Sequence, residues 1–285
     1  MSYLTEGTGP RTALLIHGSG MSARSWVNQL HGRPDTLRMI AVDLPGHGES
    51  DPTPAESVEE YAAVVGDVLA ALECGPVVVV GHSLGGSIAI ALAAQRPALV
   101  RGLVLIASCL RLPLIDSVGE RLVAYLPGPL RRLLFFSMAR RVLFAPDAAA
   151  DAIATAMRDL RACRPETLAA DVRAARAMDL TEAAAGLDVP TLVLAGERDR
   201  LTSPALAERL SALIRRSRLA IVPGVGHMLP LEAPERVNRE IAAFVESLAE
   251  PSSAPPAIAA RPPSLARRAC EWFTRLTRAE HTRRD

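Results

Sequence analysis

The fold of this 285-residue chain is decided by the stretch Val77-Val78-Val79-Val80-Gly81-His82-Ser83-Leu84-Gly85-Gly86. Four consecutive valines predict a strand that is buried on both faces, as in a parallel sheet. A G-x-S-x-G turn follows and leads directly into a helical stretch, which is the context that this motif requires. The two outer glycines leave room for a sharp turn that projects Ser83 above the sheet. The stretch therefore predicts a strand, a tight turn and a helix, with a serine nucleophile at the turn.

The same rhythm of apolar run, glycine-bearing turn and helix recurs on either side of this stretch. Buried strands that alternate with helices predict an α/β fold with a mostly parallel, doubly wound sheet. Proline in the first turn, where its missing N–H is not needed, supports the last two helices. The predicted strands are Ala13–Ile16, Met39–Val42, Val77–Val80, Leu103–Ala107, Thr191–Ala195 and Leu219–Val222, and the predicted helices are Val58–Glu73, Ser83–Gln95, Pro204–Arg215 and Pro234–Leu248.

This alternation of strands and helices stops between residues 110 and 186. This interval has no strand-like run but several helical ones, so it predicts a helical cap inserted between two strands. The core then comprises residues 1–109 and 187–250. Three phenylalanines of the cap form its own core or line a pocket beneath it. The predicted cap helices are Val118–Leu126, Pro129–Phe144, Asp147–Arg161 and Pro165–Met178.

Composition excludes several classes of function. All 32 basic residues are arginine, which rules out Schiff-base, pyridoxal-phosphate and Walker-type lysine chemistry. The net charge of +1 argues against nucleic-acid binding through the overall field. Four widely spaced cysteines favour reduced thiols over disulfides or a zinc site. With no signal-like or spanning apolar run, we expect a cytoplasmic protein without an integral membrane segment.

The last 35 residues differ from the rest of the chain. Residues 251–285 hold seven arginines against three acidic residues and begin with a proline-rich linker. Within them, residues 264–284 show helical spacing of apolar side chains among the arginines. A short helix docked on the body, or fraying in solvent, is favoured here over contact with an anionic membrane surface or a protein partner.

A serine nucleophile needs a base and an acid that orients the base. Of the six histidines, His227 is the best base, because it lies in a flexible loop directly after the last predicted strand. Asp199 is the best acid, since it lies just past the end of the preceding strand, and Glu197 and Asp188 are its alternatives. Residues that follow parallel strands gather at one edge of the sheet, where open α/β sheets bind ligands.

The order serine, acid, histidine, with a cap between serine and acid, resembles the α/β-hydrolase fold family in its cap-bearing branch. The resemblance covers about Tyr3 to Leu248. It includes His17-Gly18-Ser19-Gly20, the Gly81–Gly86 turn, the Asp43–Ser50 turn and Gly226-His227. It implies that the backbone N–H groups of Ser19 and Leu84 form the oxyanion hole, and that Asp43 and His47 have structural roles.

The resemblance implies a carboxylesterase-like serine hydrolase that cleaves an ester or related acyl bond of a small, partly apolar molecule through an acyl-enzyme. A carbon–carbon bond hydrolase of vinylogous diketones, a lactonase, an acyltransferase or a perhydrolase would look alike, and a non-catalytic small-molecule receptor is the rival from another class. No metal or cofactor is implied. The chain departs from the family in its shortened outer hairpin and in its basic tail.

Overall fold

The computed structural model describes residues 1–112 and 128–248. The predicted helix Val118–Leu126 and the tail after residue 250 lie outside the described residues. The predicted class, α/β with a mostly parallel sheet, is confirmed within the described part.

One sheet carries the fold. Its strand order is β1-β3-β2-β4-β5-β6-β7, and every neighbouring pair is parallel except β1 with β3. The six predicted strands are all present. The additional strand β1 was not predicted, because its four exposed residues do not form a continuous apolar run. The strands are β1 Tyr3–Glu6, β2 Arg11–Ile16, β3 Leu37–Val42, β4 Val77–His82, β5 Val100–Ile106, β6 Thr191–Gly196 and β7 Ser217–Val222.

Strand β4 shows why the buried runs are continuously apolar. Successive side chains of a strand point to opposite faces. Val77 and Val79 pack into one core cluster with helices of one face, and Val78 and Val80 pack into a second cluster on the other. The sheet is therefore covered by helices on both sides. These helices are α1 Val27–His31, α2 Val58–Ala71, α3 Leu84–Gln95, α8 Pro204–Leu213 and α10 Pro234–Ser247, and the short α9 spans Leu229–Glu232.

All the described elements between β5 and β6 are helices. A third apolar cluster joins this cap to the core: Met157 and Leu160 of the cap pack with Met21 and Met228 of two core loops. The cap therefore lies against the loops at the carboxyl ends of the strands. Its helices are α4 Gly128–Leu143, α5 Ala150–Ala162, α6 Pro165–Ala177 and α7 Thr181–Ala185. None of the helices within residues 1–112 and 128–248 is both long and apolar enough to cross a membrane.

Candidate active site

The turn between β4 and α3 holds Ser83 in a backbone conformation that side chains rarely adopt, with φ of +53°. Its amide donates to the Ile106 carbonyl over 2.8 Å, and its own carbonyl accepts the Ser108 hydroxyl over 3.1 Å. A Cβ on Gly81 would lie 2.2 Å from the Gly85 carbonyl oxygen, so only glycine fits there. The half-buried Ser83 side chain lines the large cavity described below.

Asp199 and His227 form a buried pair beside the same cavity. His227 Nδ1 donates to Asp199 Oδ2 over 2.8 Å, and the two side chains are 2% and 0% exposed. Because the carboxylate can only accept, Nδ1 carries the hydrogen and Nε2 keeps a free lone pair. The geometry thus leaves His227 in the tautomer that a general base for a hydroxyl requires.

Asp199 is held by further donors. Its Oδ1 accepts the amides of Leu201 and Thr202 over 2.8 and 2.9 Å, and its Oδ2 accepts the Thr202 hydroxyl over 2.7 Å. Burial opposes ionisation of Asp199, but the facing His227 and the Thr202 donors outweigh it and lower its pKa below the ordinary value. The carboxylate therefore stays charged and fixed in direction.

The alternative acids lie elsewhere. Glu197 is exposed and accepts the Gly224 amide over 2.8 Å. Asp188 forms an exposed ion pair with Arg215 over 2.6 Å. Neither carboxylate contacts His227, so Asp199 is the one acid of the three that the fold brings to it.

Two groups that the sequence did not single out hold the His227 loop. His82 Nε2 donates to the His227 carbonyl over 2.9 Å. Glu232 accepts the amides of Ala145, Gly226 and Met228 over 2.9, 3.2 and 3.0 Å. Burial lowers the pKa of His82 to about 3, so its ring is neutral at physiological pH.

The loop after β2 lies directly beside the serine. A Cβ placed on Gly18 would stand 3.1 Å from the Ser83 Cβ, so the loop approaches the serine closely at this glycine. Ser19 follows it and lines the cavity, as does Leu84 at the first position of α3. The first amides of a helix have no partner within the helix. The two amides expected to form an oxyanion hole thus flank Ser83.

Asp43 and His47 make the structural contacts expected of them. Asp43 accepts the Ala23 and Glu49 amides over 2.7 and 3.1 Å. His47 Nε2 lies 2.9 Å from Asp171 Oδ2. The carboxylate partner of His47 comes from cap helix α6, a contact that the sequence did not reveal.

A cavity of about 950 Å³ lies between the cap and the carboxyl ends of the strands. Ser83 and His227 are at its floor, and most of its wall is apolar. Among the described residues that line it, none is an arginine. The cap contributes Leu112, Phe135, Met138, Ala139, Val142, Leu143, Leu160, Leu168, Asp171, Val172, Ala175 and Met178 to the wall.

Other reactive groups are sparse in the described part of the chain. Cys74, Cys109 and Cys163 are free thiols, and burial raises the pKa of Cys109, which lines the cavity, to about 12. Residues 1–112 and 128–248 contain no cluster of three or more histidine, cysteine or acidic side chains that could hold a metal ion.

Comparison with known proteins gives a consistent result. A model of the alpha/beta hydrolase family matches residues 13–240. The pimeloyl-[acyl-carrier protein] methyl ester esterase of Neisseria meningitidis serogroup A is 32% identical over 88% of this chain and 81% of that protein. The (E)-2-((N-methylformamido)methylene)succinate hydrolase of Acinetobacter baylyi is 25% identical over 86% of this chain and 94% of that protein.

A solved structure extends the likeness to three dimensions. The thermophilic esterase from Thermogutta terrifontis, solved with malate bound, superposes with a TM-score of 0.76 at 27% identity. The match covers 87% of this chain and 93% of the esterase. At this coverage the likeness is one of whole fold rather than of a local motif.

Proposed function

The chain belongs to the α/β hydrolase family, and from this premise we propose that Ser83, Asp199 and His227 are its catalytic triad. It is a carboxylesterase-like, ester-hydrolysing enzyme. The observation that carries the triad is the buried 2.8 Å pair of Asp199 and His227 on the cavity that Ser83 also lines.

The proposed reaction proceeds in two stages. Nε2 of His227 takes the proton of Ser83 as its Oγ attacks the ester carbonyl, and His227 returns the proton to the departing alcohol. Water then attacks the acyl-enzyme, again with His227 as base, and releases the acid and free Ser83. Asp199 holds the tautomer and stabilises the charged imidazole throughout.

The backbone amides of Ser19 and Leu84 are the proposed oxyanion hole. Two fixed donors beside the nucleophile stabilise the negative oxygen of the tetrahedral intermediate, and each is worth about 3 kcal/mol in a site shielded from water. Because Leu84 is the first residue of α3, the partial positive charge of the helix terminus adds to this effect.

The cavity supports a neutral ester with an apolar acyl chain as the substrate. Its wall of methionine, leucine and phenylalanine side chains gains free energy by covering methylene groups. A dicarboxylate of the kind named for the Acinetobacter relative would need a cation, and the described lining has no arginine to supply it. The methyl ester named for the Neisseria relatives, which bears a chain of methylenes, fits this wall better.

Labelling with a fluorophosphonate probe tests the nucleophile. We expect the wild-type protein to be labelled and Ser83→Ala to remain unlabelled, since only a serine activated by a base reacts quickly. The variant Ser87→Ala is the matched control. Ser87 is a second serine of the same cavity, and its hydroxyl donates to the Cys109 carbonyl over 3.4 Å. Equal labelling of Ser83→Ala and wild type would disprove the assignment.

A series of p-nitrophenyl esters tests the substrate class. Each added methylene should raise kcat/KM about 3- to 4-fold until the cavity is filled, because burial of one CH₂ is worth about 0.8 kcal/mol. A half-ester of a dicarboxylic acid of equal length is the control and should be a poorer substrate. Faster turnover of a vinylogous diketone than of every ester would favour carbon–carbon bond hydrolysis instead.

A further inference from the structure

Three segments of the core donate to one carboxylate of the cap. Asp171 of helix α6 is fully buried. Its Oδ2 accepts the Gly20 amide over 3.1 Å and lies 2.9 Å from His47 Nε2, and its Oδ1 accepts the Tyr61 hydroxyl over 2.9 Å. These donors come from the loop after β2, the turn after β3 and helix α2.

The contact with Gly20 acts next to the proposed oxyanion hole. The Gly20 amide belongs to the Ser19–Gly20 peptide, so its hydrogen bond to Asp171 fixes the plane of that peptide. This restricts Ser19, whose own N–H lies in the preceding peptide and is the proposed oxyanion donor. On the other side of Ser19, the Gly18 carbonyl accepts the Met21 amide over 3.2 Å and lies 2.8 Å from His17 Nδ1. Gly20 has φ of +70°. A glycine can adopt many other backbone conformations, so a contact such as the one with Asp171 is needed to hold this one.

His47 and Tyr61 make it possible to bury the carboxylate. Burial opposes ionisation of Asp171, but the hydrogen bonds that it accepts from His47 and Tyr61 lower its pKa below the ordinary value. Nδ1 of His47 lies 3.1 Å from the Pro45 carbonyl, so both ring nitrogens face acceptors. The side chain of Asp171 is therefore held from two sides and can act as a rigid anchor for Gly20.

We propose that Asp171 is a positioning residue, which orients the Ser19–Gly20 peptide and so makes the oxyanion hole depend on docking of the cap. The proposal rests on the proposed function. It assigns the effect to the acceptor oxygen of Asp171 and not to contact with the substrate. Loss of this oxygen frees the loop and misplaces the Ser19 amide, and a shift of about 1 Å in such a donor costs about 100-fold in rate.

Thr167 provides a matched control on the same helix. It is also fully buried, and its hydroxyl donates to the Gly46 carbonyl over 3.1 Å. It thus joins the same face of the cap to the core without touching the loop of Ser19. Thr167→Val removes a docking contact and leaves the oxyanion loop in place.

The experiment compares wild type, Asp171→Ala, Asp171→Asn and Thr167→Val. We expect Asp171→Ala to lower kcat about 10- to 100-fold with KM changed less than about 3-fold, and to speed hydrogen exchange of the Gly20 amide about 10-fold or more. Asp171→Asn keeps an oxygen for Gly20, so its kcat should stay within about 5-fold of wild type. Thr167→Val should change neither kcat nor the exchange of Gly20.

Three results would overturn the proposal: an unchanged kcat in Asp171→Ala, an equal loss in Thr167→Val, or a loss in Asp171→Asn as large as in Asp171→Ala. If Asp171→Ala does not fold, Asp171→Asn decides, because a loss above about 5-fold contradicts a role through the oxygen alone. If wild type shows no turnover that depends on Ser83, the proposed function fails, and the exchange of Gly20 still reports whether Asp171 anchors the loop.

Discussion

The backbone of Ser83 is strained, and neighbouring residues hold it in this conformation. A non-glycine residue at φ of +53° costs on the order of 1–3 kcal/mol, and it persists only where the neighbouring structure over-determines the conformation. The hydrogen bonds to the Ile106 carbonyl and from Ser108 supply that constraint, and Gly81 admits the close turn. The motif can be recognised in the sequence because a side chain at Gly81 or Gly85 would collide with the backbone, so only glycine fits there.

The choice of acid is open to a direct test at the level of single residues. Asp199→Asn should lower kcat by about 10⁴, since the amide favours the wrong tautomer of His227. Glu197→Gln is the matched control, because Glu197 is two residues away, exposed, and hydrogen-bonded to Gly224 instead. Ester turnover at saturating substrate measures both. A large loss in Glu197→Gln alone would reverse the assignment.

Several supporting residues could not be predicted from the sequence. Thr202 lies three residues after Asp199 and donates its hydroxyl to it. A threonine shortly before a helix is common, so its presence did not indicate this contact. Glu232 lies on a short helix that gives no signal of its contact with the His227 loop. His82 directly precedes Ser83, but its contact partner is 145 residues away in the chain. Their contacts depend on how the loops fold back, which no local pattern records.

At the scale of elements, the cap and the loop of His227 share hydrogen bonds. The amides of His227 and Met228 both donate to the Leu143 carbonyl at the end of α4, over 2.9 and 3.2 Å. The last carbonyls of a helix lack partners within it, so this end of α4 is available to hold a loop. The His227 loop is therefore fixed by the cap as well as by the core.

Glu232 also holds the His227 loop to the cap, and its replacement should loosen this attachment. In Glu232→Gln one of the three amides that it accepts loses its acceptor, which costs about 1–3 kcal/mol of folding free energy. We expect kcat to fall about 3- to 10-fold because His227 is less well held. Urea unfolding and ester turnover measure the two effects.

Glu235→Gln is the control, since Glu235 lies three residues further on and is exposed. It removes the same charge without removing a hydrogen-bond acceptor from the attachment of the His227 loop. Unchanged stability and turnover in Glu232→Gln would mean that the Leu143 carbonyl alone holds the loop.

At the scale of the whole molecule, burial of titratable groups links stability to pH. Burial lowers the pKa of both His17 and His82 to about 3, from an ordinary value of 6.5. Below pH 6.5 these two histidines are therefore protonated in the unfolded chain but neutral in the folded chain, so the free energy of unfolding falls as the pH falls. Glu232, whose pKa is raised by burial, acts in the opposite sense at lower pH.

We expect the free energy of unfolding to fall between pH 7.5 and 5.5, by up to about 1.4 kcal/mol per pH unit for each buried histidine once the pH is below 6.5. Urea unfolding at several pH values measures it. His17→Gln should flatten the slope by about half, as one of two comparable groups is removed. His31→Gln, at an exposed position, should leave the slope unchanged. A slope that His17→Gln does not alter would contradict the assignment to buried histidines.

The sequence by itself determined the parallel sheet, the helical cap and the candidates Ser83, Asp199 and His227. Each depends on a local pattern, since a buried strand is continuously apolar and a nucleophile turn needs its glycines. Only the tertiary structure showed which of the three acids contacts His227, added strand β1 and joined Asp171 to Gly20. These contacts join residues far apart in the chain, and they arise from packing of the cap and loops in three dimensions, which local periodicity does not encode.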